Sequence, residues 1–147
     1  MNGGIAIVGP GRMGLALGAA LTHARAVDQL VYFGRSADPH PHPLFDEEAD
    51  HVTYRIGIGP LPEGIVILIL AVPDDVLHSV ANEVARAGPA PRNCVALHLS
   101  GALSTDVLAP LHGAGYSVGS LHPLQTVADP WSGADRLVGC AYALAGE

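Results

Sequence analysis

Gly9, Gly11 and Gly14 stand in the spacing G-x-G-x-x-G, between an apolar run at residues 5–8 and an Ala- and Leu-rich stretch that begins at Arg12. After a strand and at the opening of a helix, that spacing is a device for seating a diphosphate. The first glycine lets the chain turn sharply off the strand. The second has no Cβ, so a diphosphate can approach the main chain. The third lets helix and strand pack closely, and Gly18 extends that close face by one turn. Unpaired N–H groups and the dipole of the helix start favour a bound anion. The segment Gly9-Pro10-Gly11-Arg12-Met13-Gly14 is therefore expected to hold a dinucleotide. The plainer alternative is a glycine-rich turn that solves only a packing problem.

The next apolar run, Leu30-Val31-Tyr32-Phe33, ends at Gly34-Arg35-Ser36. In a dinucleotide fold that end lies beside the adenosine ribose. A carboxylate there would bond both ribose hydroxyls and repel a 2′-phosphate. Arg35 and Ser36 offer a guanidinium and a hydroxyl instead. Those suit a 2′-phosphate, so NADP is expected over NAD. Arg12 is a candidate second cation; for both arginines the alternative is a solvated surface side chain. Residues 65–72 are continuously apolar and read as a strand covered on both faces. Their corner, Ala71-Val72-Pro73, is expected to line the nicotinamide ribose with main chain. Asp74 is equally well explained by an ordinary strand-to-helix turn.

Proton chemistry has its candidates at the ends of later strands, where His98, Ser100, Ser120, His122 and Gln125 stand. Ser100 ends one strand and His122 the next. If those strands are neighbours, both side chains open into one crevice. Hydride transfer with a nicotinamide needs a proton moved at the substrate oxygen or nitrogen, and an imidazole titrates near neutrality. Ser100 and His122 are therefore the candidate catalytic pair, the serine holding a substrate hydroxyl or orienting the ring. The alternative for His122, and more so for His98 inside its strand, is a hydrogen bond to a backbone carbonyl. His98-Leu99-Ser100-Gly101 does not suggest a hydrolase, because no G-x-S-x-G surrounds Ser100 and no carboxylate is placed to complete a triad.

These residues need elements to hold them. The chain has 147 residues, 49% apolar and only 14% charged, which suits one domain, residues 1–147, with a real core. Its net charge is −7 and its seven basic residues are all arginines, so neither nucleic acid nor a membrane surface is an expected partner. The longest apolar run is too short to span a bilayer, and no basic residue precedes the first one, so a cytoplasmic chain without a signal peptide is expected. Cys94 and Cys140 lie in strand-like segments and read as buried, reduced thiols, with no metal site. Strands are expected at 5–8, 30–33, 52–56, 65–72, 94–99, 116–121 and 138–144. Helices are expected at 12–24 and 75–87, with a short one capped by Ser104 or Thr105 and ending near Gly113. Pro39-His40-Pro41-His42-Pro43 forbids helix, and residues 44–50 allow only a short one, so the crossover at 38–51 is expected to be reduced. His40 and His42 read as solvated loop. Residues 57–64 and 129–133 read as loops. Strands alternating with helices predict an α/β fold: a doubly wound, mostly parallel sheet with helices on both faces.

Gly9-Pro10-Gly11-Arg12-Met13-Gly14, Gly34-Arg35-Ser36, Ala71-Val72-Pro73-Asp74, His98-Leu99-Ser100-Gly101 and Ser120-Leu121-His122-Pro123-Leu124-Gln125 occur in that order. Together they resemble the Rossmann-like domain of a family assigned as NADP oxidoreductases that normally carries a helical second domain of unknown function. Wider relatives are pyrroline-5-carboxylate reductase, deazaflavin-dependent NADP reductases, 6-phosphogluconate and 3-hydroxyisobutyrate dehydrogenases, and prephenate dehydrogenase. The resemblance covers essentially the whole chain, and the Leu-Ser-Gly and His-Pro-Leu-Gln corners are its more specific part. It implies hydride transfer between NADP(H) and a small polar substrate of the 2-oxo acid, hydroxy acid or imine type, some close members being thought to reduce ketopantoate. By resemblance to prephenate dehydrogenase, Ser100 and His122 contact that substrate. Two departures follow. The relatives are about twice as long, and their helical half builds the dimer and closes the pocket; this chain stops about where that half would begin. It is therefore expected to be a fragment, a truncated product or one piece of a split enzyme, partnered by a second copy or a separate helical domain. No lysine occurs, so the catalytic Lys that several relatives take from the second domain has no counterpart here. The competing reading is a non-catalytic nicotinamide-nucleotide-binding or sensing module. A methyltransferase is weaker, because Arg35 stands where an acidic residue would be needed.

Overall fold

The computed structural model describes residues 3–46 and 49–146. Seven strands form one sheet: β1 (Gly4–Val8), β2 (Gln29–Gly34), β3 (Val52–Ile56), β4 (Ile65–Leu70), β5 (Val95–His98), β6 (Ser117–Pro123) and β7 (Tyr142–Gly146). Their order is β3-β2-β1-β4-β5-β6-β7. Every pairing is parallel except β6 with β7. The order reverses between β1 and β4, which places a crevice at the carboxyl ends of those strands. The helices are α1 (Arg12–His23), α2 (Asp74–Ala87), α3 (Ala109–Gly113) and α4 (Gly133–Leu137).

The sheet is covered on both faces, as its two-residue alternation dictates. Ala6, Val8, Val31, Phe33, Leu68 and Leu70 face one core with Leu77, Ala81 and Val84 of α2 and Leu111 of α3. Ile5, Ile7, Leu30, Tyr32 and Ile69 face the other, with Leu15, Ala16 and Ala19 of α1 and Ala134 and Leu137 of α4. Gly133 is the contact that lets α4 sit on α1, since a Cβ there would stand 2.6 Å from that of Ala16.

Several expectations need correction. β4 is not covered along its whole length: Val66 is 40% exposed, and the strand stops at Leu70, leaving Ala71 and Val72 in the corner. Residues 133–137 form a helix that its own first residue, Gly133, and the preceding Asp129-Pro130-Trp131-Ser132 turn hide in the sequence. The chain then turns through Gly139 at φ +76°, so the last strand begins at Tyr142, four residues later than expected. Cys140 lies in that turn and is only half-buried, whereas Cys94 is buried. His122 lies within β6, paired with Ala143 of β7, beyond the expected end of the strand at residue 121. His42 is buried rather than solvated, accepting the Leu44 N–H at Nδ1 and donating from Nε2 to the Pro130 carbonyl at 3.0 Å. The reduced crossover is a single 3₁₀ turn, Pro43–Phe45; Glu47 and Glu48, within the expected short helix, lie outside the described residues. Among the described residues, no helix is long and apolar enough to cross a membrane.

Candidate functional site

A cleft of about 550 Å³ opens at the carboxyl ends of β1, β2 and β4. Its floor is the glycine turn. Gly9 has φ +102°, and a Cβ there would meet the Ala71 carbonyl oxygen at 2.3 Å. Its N–H donates to the Phe33 carbonyl, which ties the turn to β2. A Cβ at Gly14 would meet the Gly9 carbonyl oxygen at 2.2 Å, so α1 packs directly on the turn. At Gly11 no atom stands within 4 Å of a Cβ position, and the residue faces the cleft. Two glycines are thus consumed by packing and one by open space. Gly18 admits the Tyr32 hydroxyl, which donates to the Gly14 carbonyl at 2.8 Å. Burial raises the Tyr32 phenol far above its ordinary range, so it remains a donor.

The walls follow from the strand ends. Gly34, Arg35 and Ser36 line one side. Ala71, Val72 and Pro73 line the other, continued by Val76 and Val80 on α2. Arg35 is exposed and has no protein partner among the described residues. Of the glycine segment, Gly9, Pro10 and Gly11 line the cleft; Arg12, Met13 and Gly14 do not. Arg12 reaches away, its Nη1 donating to the Ala128 carbonyl at 3.4 Å, and Met13 packs on the α1 core. Asp38, Asp75 and Glu83 also border the cleft, and among the described residues Arg35 is its only lining arginine. Sequence reasoning did not single out Tyr54 of β3, which lines the same end. The available signal was a glycine ending one strand with an aromatic in the strand beside it.

Ser100 stands just beyond the end of β5 and His122 near the end of its neighbour β6, both outside the lining of the cleft. The Ser100 hydroxyl donates to Asp74 Oδ2 at 2.9 Å and accepts from the N–H groups of Ala102 and Leu103, both at 3.1 Å. A hydroxyl has one proton and two lone pairs, so Ser100 is fully engaged. Asp74 is thereby assigned a partner that the strand-to-helix turn alone does not require. His98 is fully buried and bonded at both nitrogens: Nδ1 accepts the Ser100 N–H at 3.1 Å and Nε2 donates to the Ser104 carbonyl at 3.2 Å. Burial lowers its pKa, against the opposing pull of the Ser104 carbonyl and the Asp74 charge. His122 Nδ1 sits 2.9 Å from the Leu99 carbonyl. A carbonyl cannot donate, so Nδ1 carries a proton, and in the neutral ring the lone pair is on Nε2. Nε2 has no hydrogen-bond partner among the described residues, and the Cβ that Gly101 lacks would stand 2.6 Å from it.

Solved structures with the same architecture include pyrroline carboxylate reductase of Plasmodium falciparum with NADP bound, at TM-score 0.67 and 19% identity over 99% of this chain and 48% of that one. Prephenate dehydrogenase of A. aeolicus, in complex with hydroxyphenyl propionate and NAD+, follows at TM-score 0.65 and 14% identity, over 100% of this chain and 51% of that one. (S)-3-hydroxybutyryl-CoA dehydrogenase of Ralstonia eutropha matches at TM-score 0.65 and 15% identity, over 88% and 50%. The chain spans about half the length of each. No curated protein matches it. The family model of the Rossmann-like domain matches residues 2–123, and the chain belongs to that family.

Proposed function

We propose that the cleft binds a nicotinamide dinucleotide, with NADP preferred, and that the chain is the nucleotide-binding domain of an oxidoreductase acting on a small polar substrate. The observation that carries this reading is the division of labour in the glycine turn. Gly9 and Gly14 are locked by packing, while Gly11 leaves open main chain at a helix start facing the cleft. A diphosphate fits there, and Pro10 and Gly11 would flank it. Arg35, uncommitted to any described protein group, stands with Ser36 where a 2′-phosphate would lie. The main chain of Ala71, Val72 and Pro73 would border the nicotinamide ribose. Arg12 and Met13 support the turn from outside and are not assigned a ligand contact.

When bound, the nicotinamide supplies or accepts a hydride. The matching proton falls to His122 in this reading: Nδ1–H is anchored on Leu99, which leaves Nε2 to accept or donate. Ser100 holds the loop that faces His122, and substrate contact by its hydroxyl would require release of one of its three bonds. The substrate class, a 2-oxo acid, hydroxy acid or imine, is supported by the family resemblance and by the reductase and dehydrogenase activities of the structural neighbours. Titration followed by nucleotide fluorescence tests the nucleotide reading. NADPH is expected to bind at least about tenfold tighter than NADH, and Arg35→Asp to reverse that order. Equal constants for the two nucleotides would remove the role of Arg35. A non-catalytic binding module would show the same binding, but no turnover when a helical partner domain is supplied.

A further inference from the structure

We propose that Tyr54 is a positioning residue for nucleotide discrimination, acting through the turn that carries Arg35 and Ser36. The inference rests on the reading of the cleft as an NADP site and assigns a residue that the reading does not need. Tyr54 sits in β3 with its Cα opposite Tyr32. Its hydroxyl donates to the Ser36 carbonyl at 2.8 Å. Its ring lies across the end of β2, where a Cβ on Gly34 would meet the phenol oxygen at 2.3 Å and ring carbons at 2.8 Å. Only a glycine at position 34 lets the ring lie there. The Phe45 ring then braces it edge-on, with centroids 5.7 Å apart and planes at 81°, and packs in the same way on Tyr32 at 5.4 Å. Tyr32 in turn is bonded to the Gly14 carbonyl. One aromatic stack therefore joins the diphosphate turn to the turn after β2.

The consequence is specific. Arg35 and Ser36 are exposed and follow the last strand residue, so the ladder alone does not fix where their side chains start. The Tyr54 hydroxyl supplies that fixed point through a hydrogen bond to the main chain of Ser36. A guanidinium meets a phosphate well only in a narrow geometry. The loss of that hydrogen bond should therefore weaken recognition of the 2′-phosphate and leave the rest of the nucleotide untouched.

Two probes isolate the adenosine end: adenosine 2′,5′-bisphosphate and 5′-AMP, each titrated calorimetrically into the wild-type chain, Tyr54→Phe and Gly34→Ala. Tyr54→Phe keeps the ring stack and removes only the hydroxyl. Gly34→Ala keeps the hydroxyl and displaces the ring. Both are expected to weaken the bisphosphate about fivefold and to leave 5′-AMP within about twofold. Equal weakening of both probes in Tyr54→Phe would mean a merely structural role and overturn the inference. A wild-type preference for the bisphosphate that survives unchanged in Tyr54→Phe would overturn it while leaving the NADP reading intact. A wild-type chain without that preference overturns both together.

Discussion

The two halves of the sheet commit their polar groups differently. In the half from β1 to α2, two groups that face the cleft are left free: Gly11 exposes main chain, and the Arg35 guanidinium has no described protein partner. In the half from β5 to β7, His98, Ser100 and Asp129 are tied to other protein groups. His98 uses both ring nitrogens, Ser100 uses its proton and both lone pairs, and Asp129 accepts from the N–H groups of Trp131 and Ser132 and from the Ser132 hydroxyl. Those Ser132 bonds hold the Asp129 carboxyl below its ordinary pKa. The contrast separates a surface built to meet a ligand from one built to hold its own loops in place. A polar side chain at the carboxyl end of a strand is a candidate for chemistry only while it keeps an unengaged atom. In the later half, His122 Nε2 satisfies that test and Ser100 does not.

Glycine substitutions break the comparison most severely. Gly9→Ala forces a side chain into φ +102° and into the Ala71 carbonyl. It is expected to cost about 3–5 kcal/mol and to abolish binding through loss of the turn itself. Gly11→Ala meets nothing within 4 Å. It should leave the melting temperature within about 2 °C yet weaken NADPH at least about tenfold, because the added methyl occupies ligand space. Calorimetry and nucleotide titration on the pair separate the two roles; a Gly11→Ala chain that binds normally would place the diphosphate elsewhere. His98 straps the loop at residues 100–104 to the end of β5 through both ring nitrogens. A smaller effect is expected from His98→Leu, which strands the Ser100 N–H and the Ser104 carbonyl. A loss of about 2 kcal/mol, seen as a fall of roughly 5 °C in melting temperature, follows for the strap. NADPH affinity should hold, since the strap lies outside the cleft lining.

Much of this arrangement is legible in the sequence because it is local. The short continuous apolar runs of β1 and β2, the glycine spacing and the Pro73 stop at the head of α2 each carry their own signal over a few residues. What escaped was set by distant partners. The sequence at 129–133 reads as loop, yet α4 begins at its last residue because Gly133 fits against Ala16 of α1. His42 reads as solvated, yet Pro130, far along the chain, takes its ring proton. Tyr54 reads as one more strand aromatic until β2 is laid beside it and Gly34 falls beneath its ring. Ser100 shows the same limit within the site. Its residue type suggested substrate contact, but Asp74, Ala102 and Leu103 claim the hydroxyl, and none of those bonds is visible in spacing.

The subtlest contrast lies in pH. Burial lowers the pKa of His98, so the native state disfavours its proton while the unfolded chain accepts one near pH 6.5. Above that value both states are neutral and the strap contributes in full. As the pH falls below it, the unfolded state gains a proton that native His98 resists, and the contribution drains away until the lowered native pKa is passed, at no more than about 1.4 kcal/mol per pH unit for one group. The geometry gives the same sign, because a proton on Nδ1 would oppose the Ser100 N–H that it now accepts. The stability advantage of the wild-type chain over His98→Leu should therefore be constant from pH 7 to 8 and shrink between about pH 6.5 and 5. Denaturant unfolding of both chains across that range measures it, and the other histidines largely cancel in the difference. An advantage that grows on acidification would mean that His98 gains a proton in the folded state, and the later half would then contain a second group free to carry one.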